Sequence, residues 1–302
     1  VDAIDSAAHS ISFNQHSLVY SKLVLALGAD PIRIPLEGDA ADAVLSVNDL
    51  TDYTRFRAAA AGAKRILIMG AGLIGCEFAN DLRTAGLHVE VVDPAPQPLG
   101  RLLPPTAAAA LRDALTGLGV RWHFGSSVKS VNRRNGAYHA TLADGSRIET
   151  DVVLSAIGLR PRIALATRAG IKTQRGILTD KHLQTDAADI YALGDCAEVA
   201  GLVLPFVMPI MHAARALART LNGESTPVHY PAMPVVVKTP ALPVVICPPP
   251  VNASGAWQES GAGADVRGVF IGPGDALLGF ALTGGANAEK NALVKQLPPV
   301  LA

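Results

Sequence analysis

Cysteine is scarce in this chain of 302 residues. Cys76, Cys196 and Cys247 lie far apart and form no CxxC pair or other metal-ligand spacing. A disulfide framework and a metal site are therefore not expected, and a reducing cytoplasm suits such a chain. The missing CxxC pair also argues against an enzyme that passes electrons through a pair of neighbouring cysteines.

An excess of charge and long apolar runs are also missing. The 26 basic and 26 acidic residues give a net charge of zero, which argues against a protein that binds nucleic acid. No stretch reaches the ~18 unbroken apolar residues of a membrane helix, and the first residues show no signal-peptide pattern. With 49% hydrophobic and 17% charged residues, the chain is expected to fold into two or three well-packed domains.

A glycine fingerprint, GAGLIGCE, occupies residues 70–77. It follows a predicted strand at 65–69 and opens a predicted helix that continues to residue 85. The next predicted strand, 88–92, ends on Asp93. Three glycines at this spacing also arise by chance in loops. Here, however, the flanking elements form the strand–helix–strand unit of about 30 residues that a dinucleotide site requires.

Each glycine of the fingerprint has an expected role. Gly70 permits the tight turn, Gly72 lets the backbone approach the pyrophosphate, and Gly75 lets the helix pack closely on its strand. Asp93 is expected to accept hydrogen bonds from the adenosine ribose and to repel a 2'-phosphate, which favours NADH over NADPH. Arg101 would weaken that preference if it faced the site; its alternative is a solvated loop charge.

A second candidate site lies at residues 189–196, DIYALGDC. An apolar strand ends there on Gly194 and Asp195, which places a carboxylate at the carboxyl edge of a strand, where open α/β sheets bind ligands. The alternative for Asp195 is the N-cap of a following helix. Cys196 is expected to be a small buried residue rather than a reactive thiol.

Three other polar side chains each allow two interpretations. Glu77 either complements the helix dipole or faces a nicotinamide amide. Lys238, in a proline-bounded strand, either lies at a flavin edge or is an exposed edge-strand lysine. His212, early in a predicted helix at 208–221, is either an acid or base, or a packed or solvated residue; the second interpretation is favoured.

Other elements are predicted from periodicity and turn chemistry. Asn135–Gly136 and Asp144–Gly145 predict tight hairpin turns between three short strands. The remaining predictions are an antiparallel hairpin at 1–19, a strand at 23–27, helices at 52–61 and 104–118, a crossover strand at 151–162, proline-broken strands from residue 231 with others at 266–271 and 277–282, and a final helix at 287–297.

In this order, residues 20–31, 70–77, 156–161 and 189–195 resemble the FAD-dependent pyridine-nucleotide oxidoreductases that have two dinucleotide-binding domains. The closest agreement lies in LVLALGADPIR, GAGLIGCEFANDL, SAIGLRPR, IYALGDCAEV and VKTPALPVV, and the resemblance extends over residues 1–302. Most of that family has a threonine where Leu27 stands, and this difference points to its rubredoxin reductase branch.

The resemblance implies an α/β fold with two Rossmann-like dinucleotide-binding domains and a small C-terminal α+β domain. FAD-binding parts are expected at residues 1–46 and 153–230, the NAD-binding domain at 47–152 and an interface domain at 231–302. The first flavin fingerprint of the family would precede Val1, so the chain is expected to be a fragment. The residues that bind the adenine half of FAD are not assigned.

The resemblance also assigns ligands to residues. It implies that Asp195 holds the ribityl and pyrophosphate part of FAD, that the backbone around Val207 meets the flavin ring, and that Lys238 contacts FAD. Glu77 would lie near the nicotinamide. NADH would be held by Gly70, Gly72, Gly75 and Asp93. No side chain is expected to act as a nucleophile, and no metal is expected.

The implied activity is electron transfer from NADH through FAD to rubredoxin, a small one-iron carrier. A hydride would pass to the flavin and single electrons to the iron protein, which would serve an alkane hydroxylase. The alternatives within the family are a ferredoxin reductase and an NADH oxidase. An alternative of another class is a non-catalytic, NADH-responsive redox sensor.

Overall fold

The computed structural model describes residues 1–302 and divides the chain into two compact units. Unit 1 consists of Val1–Asp30, Leu159–Met233 and Pro299–Ala302, and unit 2 of Pro31–Gly158 and Pro234–Pro298. Each unit is therefore built from segments that are distant in sequence. The domain boundaries drawn from the sequence stay predictions.

Six α-helices are present, numbered here in chain order: α1 Leu50–Ala60, α2 Leu73–Thr84, α3 Pro105–Gly117, α4 Ala164–Arg168, α5 Val207–Leu221 and α6 Lys290–Val294. The predictions for α1, α2, α3 and α5 are confirmed, with end shifts that are usual between definitions of a helix end. None of the six helices combines the length and apolarity that crossing a membrane requires.

The helix predicted at 287–297 is wrong over most of its length. Gly284–Glu289 forms 3₁₀ structure, and only α6 is α-helical. The Asn287 side chain donates to the Pro243 carbonyl at 2.9 Å, and the Gln296 N–H bonds to the carbonyl three residues back. These bonds to other partners compete with the i to i−4 pattern at both ends.

A five-stranded parallel sheet forms the centre of unit 2. Its core strand, RILIM, is an almost unbroken apolar run, as expected of a strand that is covered on both faces. Its strands lie in the order Leu45–Ser46, Val152–Ser155, Arg65–Met69, His88–Asp93 and Arg121–Phe124.

The three short strands predicted around the two hairpin turns are confirmed, and they follow the strand Arg121–Phe124 in the sequence. The strands are Val128–Arg134, Ala137–Leu142 and Arg147–Thr150, all antiparallel. Asn135 and Gly136 both have positive φ, 51° and 82°, which is the backbone that an Asn-Gly hairpin turn requires.

A five-stranded antiparallel sheet completes unit 2. Its strands lie in the order Val235–Val237, Val244–Cys247, Leu277–Thr283, Asp265–Ile271 and Ala256–Ala262. The last of these, AWQESGA, was not predicted. It is an edge strand with mostly exposed side chains, so it has no apolar run to reveal it.

Unit 1 contains short strands and α4 and α5. The N-terminal segment forms three antiparallel strands rather than the predicted hairpin of two. The predicted strand at 189–196 is shorter than expected, because Gly194–Cys196 forms a 3₁₀ turn. The strands are Ala3–Asp5, Ser10–Phe13 and His16–Val19; the parallel pair Leu23–Leu25 and Ile190–Ala192; the parallel pair Ile177–Thr179 and Ala197–Val199; and the pair Ala29–Pro31 and Leu159–Pro161.

Candidate functional site

The glycine turn joins the strand Arg65–Met69 to α2. Gly70 has φ of 104°, and a Cβ placed on it would lie 2.6 Å from the Ala156 carbonyl oxygen. A Cβ on Gly75 would overlap the Gly70 carbonyl oxygen. The protein's own packing therefore requires glycine at both positions.

Gly72 differs from the other two glycines. It is the N-cap of α2 with an ordinary φ of −75°, and no side chain caps the helix. A Cβ placed on Gly72 would meet nothing within 4 Å. The N-terminus of α2 therefore opens onto free space, and free N–H groups at a helix N-terminus bind phosphate.

Asp93 ends the next strand and holds the glycine turn. Its Oδ2 accepts the N–H of Ala71 at 2.6 Å, and its Oδ1 accepts the N–H of Ala95 at 2.7 Å. A carboxylate has about four acceptor positions, so both oxygens can still accept from a hydroxyl. Its assignment to the adenosine ribose stays a prediction. Arg101 is exposed.

Glu77 lies one turn into α2 and contacts a distant segment of unit 2. Its Oε1 accepts the backbone N–H of Lys238 at 2.9 Å. The structure thus brings together two residues that sequence reasoning had assigned to different cofactors. Lys238 follows the edge strand Val235–Val237 and its side chain is exposed.

Asn80, which sequence reasoning missed, makes a parallel contact. Its Oδ1 accepts the backbone N–H of Ala241 at 3.0 Å, and the residue is only 1% exposed. The one signal in the sequence was a polar residue four positions after the buried Cys76, on the apolar face of the helix.

Asp195 lies in the 3₁₀ turn after the strand Ile190–Ala192, in unit 1. Its Oδ1 is buried and has no hydrogen-bond partner, and burial raises the pKa of its carboxyl group. The alternative that Asp195 is a helix N-cap is wrong, because the N-cap residue of the next α-helix, α5, is Phe206 and no side chain bonds to the N–H groups at its start. An orphaned buried acceptor calls for a donor that the protein does not supply, such as a ligand hydroxyl.

Val207 is the first residue of α5 and 70% exposed. Because no side chain caps α5, its first N–H groups are available to a polar atom of a ligand. The helix packs near Asp195: a Cβ on Gly194 would lie 3.9 Å from the Ile210 side chain. His212, further along α5, packs edge-on against Tyr230 at a ring distance of 6.4 Å.

No disulfide joins the three cysteines, and all three are buried. Burial, with smaller contributions from Asp93 and Glu77, raises the pKa of the Cys76 thiol to about 12. Burial also raises the pKa of the Cys196 thiol, which lies 3.4 Å from the carbonyl oxygen of Leu25. Such thiols stay protonated at neutral pH and are poor nucleophiles. No group of three or more His, Cys, Asp or Glu side chains is placed to hold a metal ion.

Two family models match the chain. One, described as pyridine nucleotide-disulphide oxidoreductase, matches residues 1–219. The other, described as rubredoxin binding C-terminal domain, matches residues 227–297. The boundary between the two matches falls shortly after α5.

Curated proteins match along the whole chain. The rubredoxin-NAD(+) reductase of Alcanivorax borkumensis is 54% identical over 302 residues, which cover 100% of this chain and 79% of that protein. The rubredoxin-NAD(+) reductase of Acinetobacter baylyi is 47% identical over 309 residues, with coverage of 100% and 79%.

Among solved structures, the crystal structure of a ferredoxin reductase from Rhodopseudomonas palustris matches with a TM-score of 0.88 and 25% identity. The match covers 98% of this chain and 76% of that one. Together with the family models, it confirms the predicted fold class of two dinucleotide-binding domains and a C-terminal α+β domain.

Proposed function

The chain belongs to the pyridine nucleotide-disulphide oxidoreductase family, and we propose that it carries electrons from NADH through FAD to rubredoxin. One observation carries this proposal. The match to the pyridine nucleotide-disulphide oxidoreductase family, whose members use FAD and NAD(H), is followed directly by a match to a rubredoxin-binding domain over residues 227–297. Relatives at 54% and 47% identity are named rubredoxin-NAD(+) reductase. The reduced rubredoxin would serve an alkane hydroxylase.

Bound FAD supplies the chemistry that amino acids lack, because a flavin accepts two electrons as a hydride and releases them singly. The chain's residues bind, orient and tune. Cys76 and Cys196 hold their protons, and no cysteine pair exists, so no disulfide needs to relay electrons.

The residues for NADH lie in unit 2. The open N-terminus of α2 at Gly72 would bind the pyrophosphate, with Gly70 and Gly75 keeping the turn tight. Asp93 would accept from the adenosine ribose, and its charge would disfavour a 2'-phosphate. Glu77 would face the nicotinamide with the carboxylate oxygen that does not hold Lys238.

The residues for FAD fit that cofactor by their unmet bonding capacity. The buried, unpartnered Oδ1 of Asp195 would accept from ribityl hydroxyls, and the uncapped start of α5 at Val207 would meet a polar edge of the flavin ring. Lys238 would add a positive charge at the flavin, which favours the reduced, anionic form of the ring.

We also propose the domain organisation and location that the sequence suggested. Residues 1–46 and 153–230 would form the FAD-binding part, 47–152 the NAD-binding domain and 231–302 the interface domain. A cytoplasmic location is supported by three cysteines that form no disulfide and by the use of NADH.

The proposal is tested by the choice of electron acceptor. The full-length, FAD-loaded protein would be given NADH and, in turn, rubredoxin, a [2Fe–2S] ferredoxin or oxygen. We expect kcat/KM for rubredoxin to exceed that for ferredoxin by at least about a hundredfold, a discrimination of roughly 3 kcal/mol. Preference for ferredoxin or oxygen would select another reductase, and no turnover with any acceptor would favour the redox sensor.

A further inference from the structure

Helix α2 presents two side-chain acceptors to the turn that follows the strand Val235–Val237. Glu77 accepts the N–H of Lys238, and Asn80 accepts the N–H of Ala241. The two acceptors are three residues apart on one face of the helix, and so are the two donors along the turn. We call this pair of bonds the latch.

Asn80 is an unusual residue for its position. Only 1% of it is exposed, and it lies on α2 between the fully buried Cys76 and Ala79 and the buried Leu82. An alanine would suit a helix interior better, and a buried amide is costly unless its hydrogen bonds are made. Its Oδ1 bonds to Ala241, and its Nδ2 lies 3.3 Å from the Asp81 carboxylate. We therefore attribute the presence of asparagine here to its bond with Ala241 and not to helix stability.

The turn between the two latch donors is internally braced. The Thr239 hydroxyl donates to the Leu242 carbonyl at 2.7 Å, and the Leu242 N–H donates to the Thr239 carbonyl at 2.9 Å. Thr239 and Leu242 are 1% and 2% exposed, and Pro240 fixes one backbone torsion. A braced turn transmits the position of Ala241 to Lys238.

We propose that Asn80 is a positioning residue: by holding Ala241, it sets the backbone of Lys238 against Glu77. Asn80 lies outside the glycine fingerprint and is not among the residues that would bind NADH or FAD. Its chemical consequence rests on the proposed function, in which Glu77 serves the nicotinamide and Lys238 the flavin. Asn80 then fixes the spacing between two groups that must act on neighbouring cofactors, although it touches neither.

The physical part of this proposal is tested by amide hydrogen exchange, resolved to single residues, on the full-length protein. In Asn80→Ala, exchange should rise about tenfold at Ala241 and also at Lys238, relative to the strand Val244–Cys247. The double variant Asn80→Asp/Asp81→Asn keeps the Oδ1 acceptor and an amide–carboxylate contact between the two neighbours, and should restore protection at both. Leu82→Ala removes buried packing from the same helix and should not affect Lys238 selectively. A rise confined to Ala241 would overturn the proposal.

The kinetic part is tested by stopped-flow bleaching of the FAD-loaded protein with NADH. Asn80→Ala should slow bleaching at saturating NADH about tenfold and change the Kd for NADH less than about twofold, because the phosphate-binding turn is intact. The double variant Asn80→Asp/Asp81→Asn should recover most of the rate. An unchanged rate, or an equal loss in Leu82→Ala, would overturn the kinetic role. If wild type itself is not bleached, the proposed function fails, while the exchange result still decides whether Asn80 positions Lys238.

Discussion

The Glu77 carboxylate holds the backbone N–H of Lys238 at 2.9 Å, across 161 residues of sequence. The bond uses the main chain of Lys238 and not its ammonium group, which stays on an exposed side chain. The position of Lys238 and its charge can therefore be separated by mutation, because a side-chain substitution leaves the N–H in place.

Lys238→Met removes the charge and keeps the bond to Glu77. We expect bleaching of the FAD-loaded protein by NADH to slow at least about tenfold, because a positive charge near the flavin favours its reduced form. Lys295→Met, which changes another exposed lysine of the C-terminal segment, is the matched control. Equal rates in wild type and Lys238→Met would contradict the assignment of Lys238 to the flavin site.

Gly72→Ala should separate binding from folding. The new methyl group meets nothing of the protein within 4 Å, and φ is ordinary, so stability should be kept. The methyl group would occupy the space of the pyrophosphate, and we expect KM for NADH to rise at least about tenfold. Gly117→Ala, at the end of α3 and also in open space, is the control. An unchanged KM would place the pyrophosphate elsewhere.

Asp195→Asn should raise the stability of the protein without FAD but weaken its binding of FAD. Burial raises the pKa of the Asp195 carboxyl in the folded state. The folded protein is therefore more stable while the Asp195 carboxyl is neutral, and this stability is lost as pH rises through the raised pKa. Asparagine stays neutral at every pH and avoids the loss. Without FAD, we expect the melting temperature at pH 8 to rise by about 2–4 °C.

With FAD, the same substitution should weaken binding at least about tenfold, because the hydroxyls of the ligand lose a charged acceptor. Asp42→Asn, at an exposed carboxylate, should change neither quantity. The measurements are thermal unfolding of the full-length apoprotein and titration with FAD. A variant that is less stable without FAD and binds FAD as wild type does would contradict the assignment.

The Arg65–Asp151 pair should set part of the acid sensitivity of unit 2. The Arg65 guanidinium, at 2.6 Å, and the N–H groups of Lys64 and Arg65 lower the pKa of the Asp151 carboxyl to about 2. The pKa is depressed, so this stabilisation is present above the unfolded-state pKa of 3.8 and is lost as pH falls toward 2.

Asp151→Asn should therefore lower the free energy of unfolding by about 1–2 kcal/mol at pH 7, after allowance for solvent screening. The difference from wild type should shrink as pH falls from 4 to 2. Urea unfolding at pH 7 and pH 3 measures both values. The control is Asp113→Asn, whose carboxylate is 68% exposed. A difference that does not depend on pH would show that Asp151 acts by packing alone.

Local sequence rules could predict the elements that hold the dinucleotide. The spacing of Gly70, Gly72 and Gly75 between an apolar strand and a helix is short-range information, and so is Asp93 at the end of the next strand. The Asn135–Gly136 turn is likewise local. These features were therefore visible before the structure.

Contacts between distant segments could not be predicted in this way. The bonds from the Lys238 N–H to Glu77 and from the Ala241 N–H to Asn80 each span 161 residues, and no period or turn motif encodes them. The edge strand Ala256–Ala262 lacks an apolar face, and the segment around α6 is held by the bond from Asn287 to Pro243. In each case tertiary pairing decides the structure over local propensity.

The central claim is that NADH reduces the flavin and rubredoxin reoxidises it. An anaerobic titration of the full-length, FAD-loaded protein with NADH, followed by oxidised rubredoxin, tests it through the visible absorbance of the flavin. The account predicts bleaching by NADH and recovery on adding rubredoxin. Bleaching without recovery would contradict rubredoxin as the acceptor, and no bleaching would contradict hydride transfer from NADH.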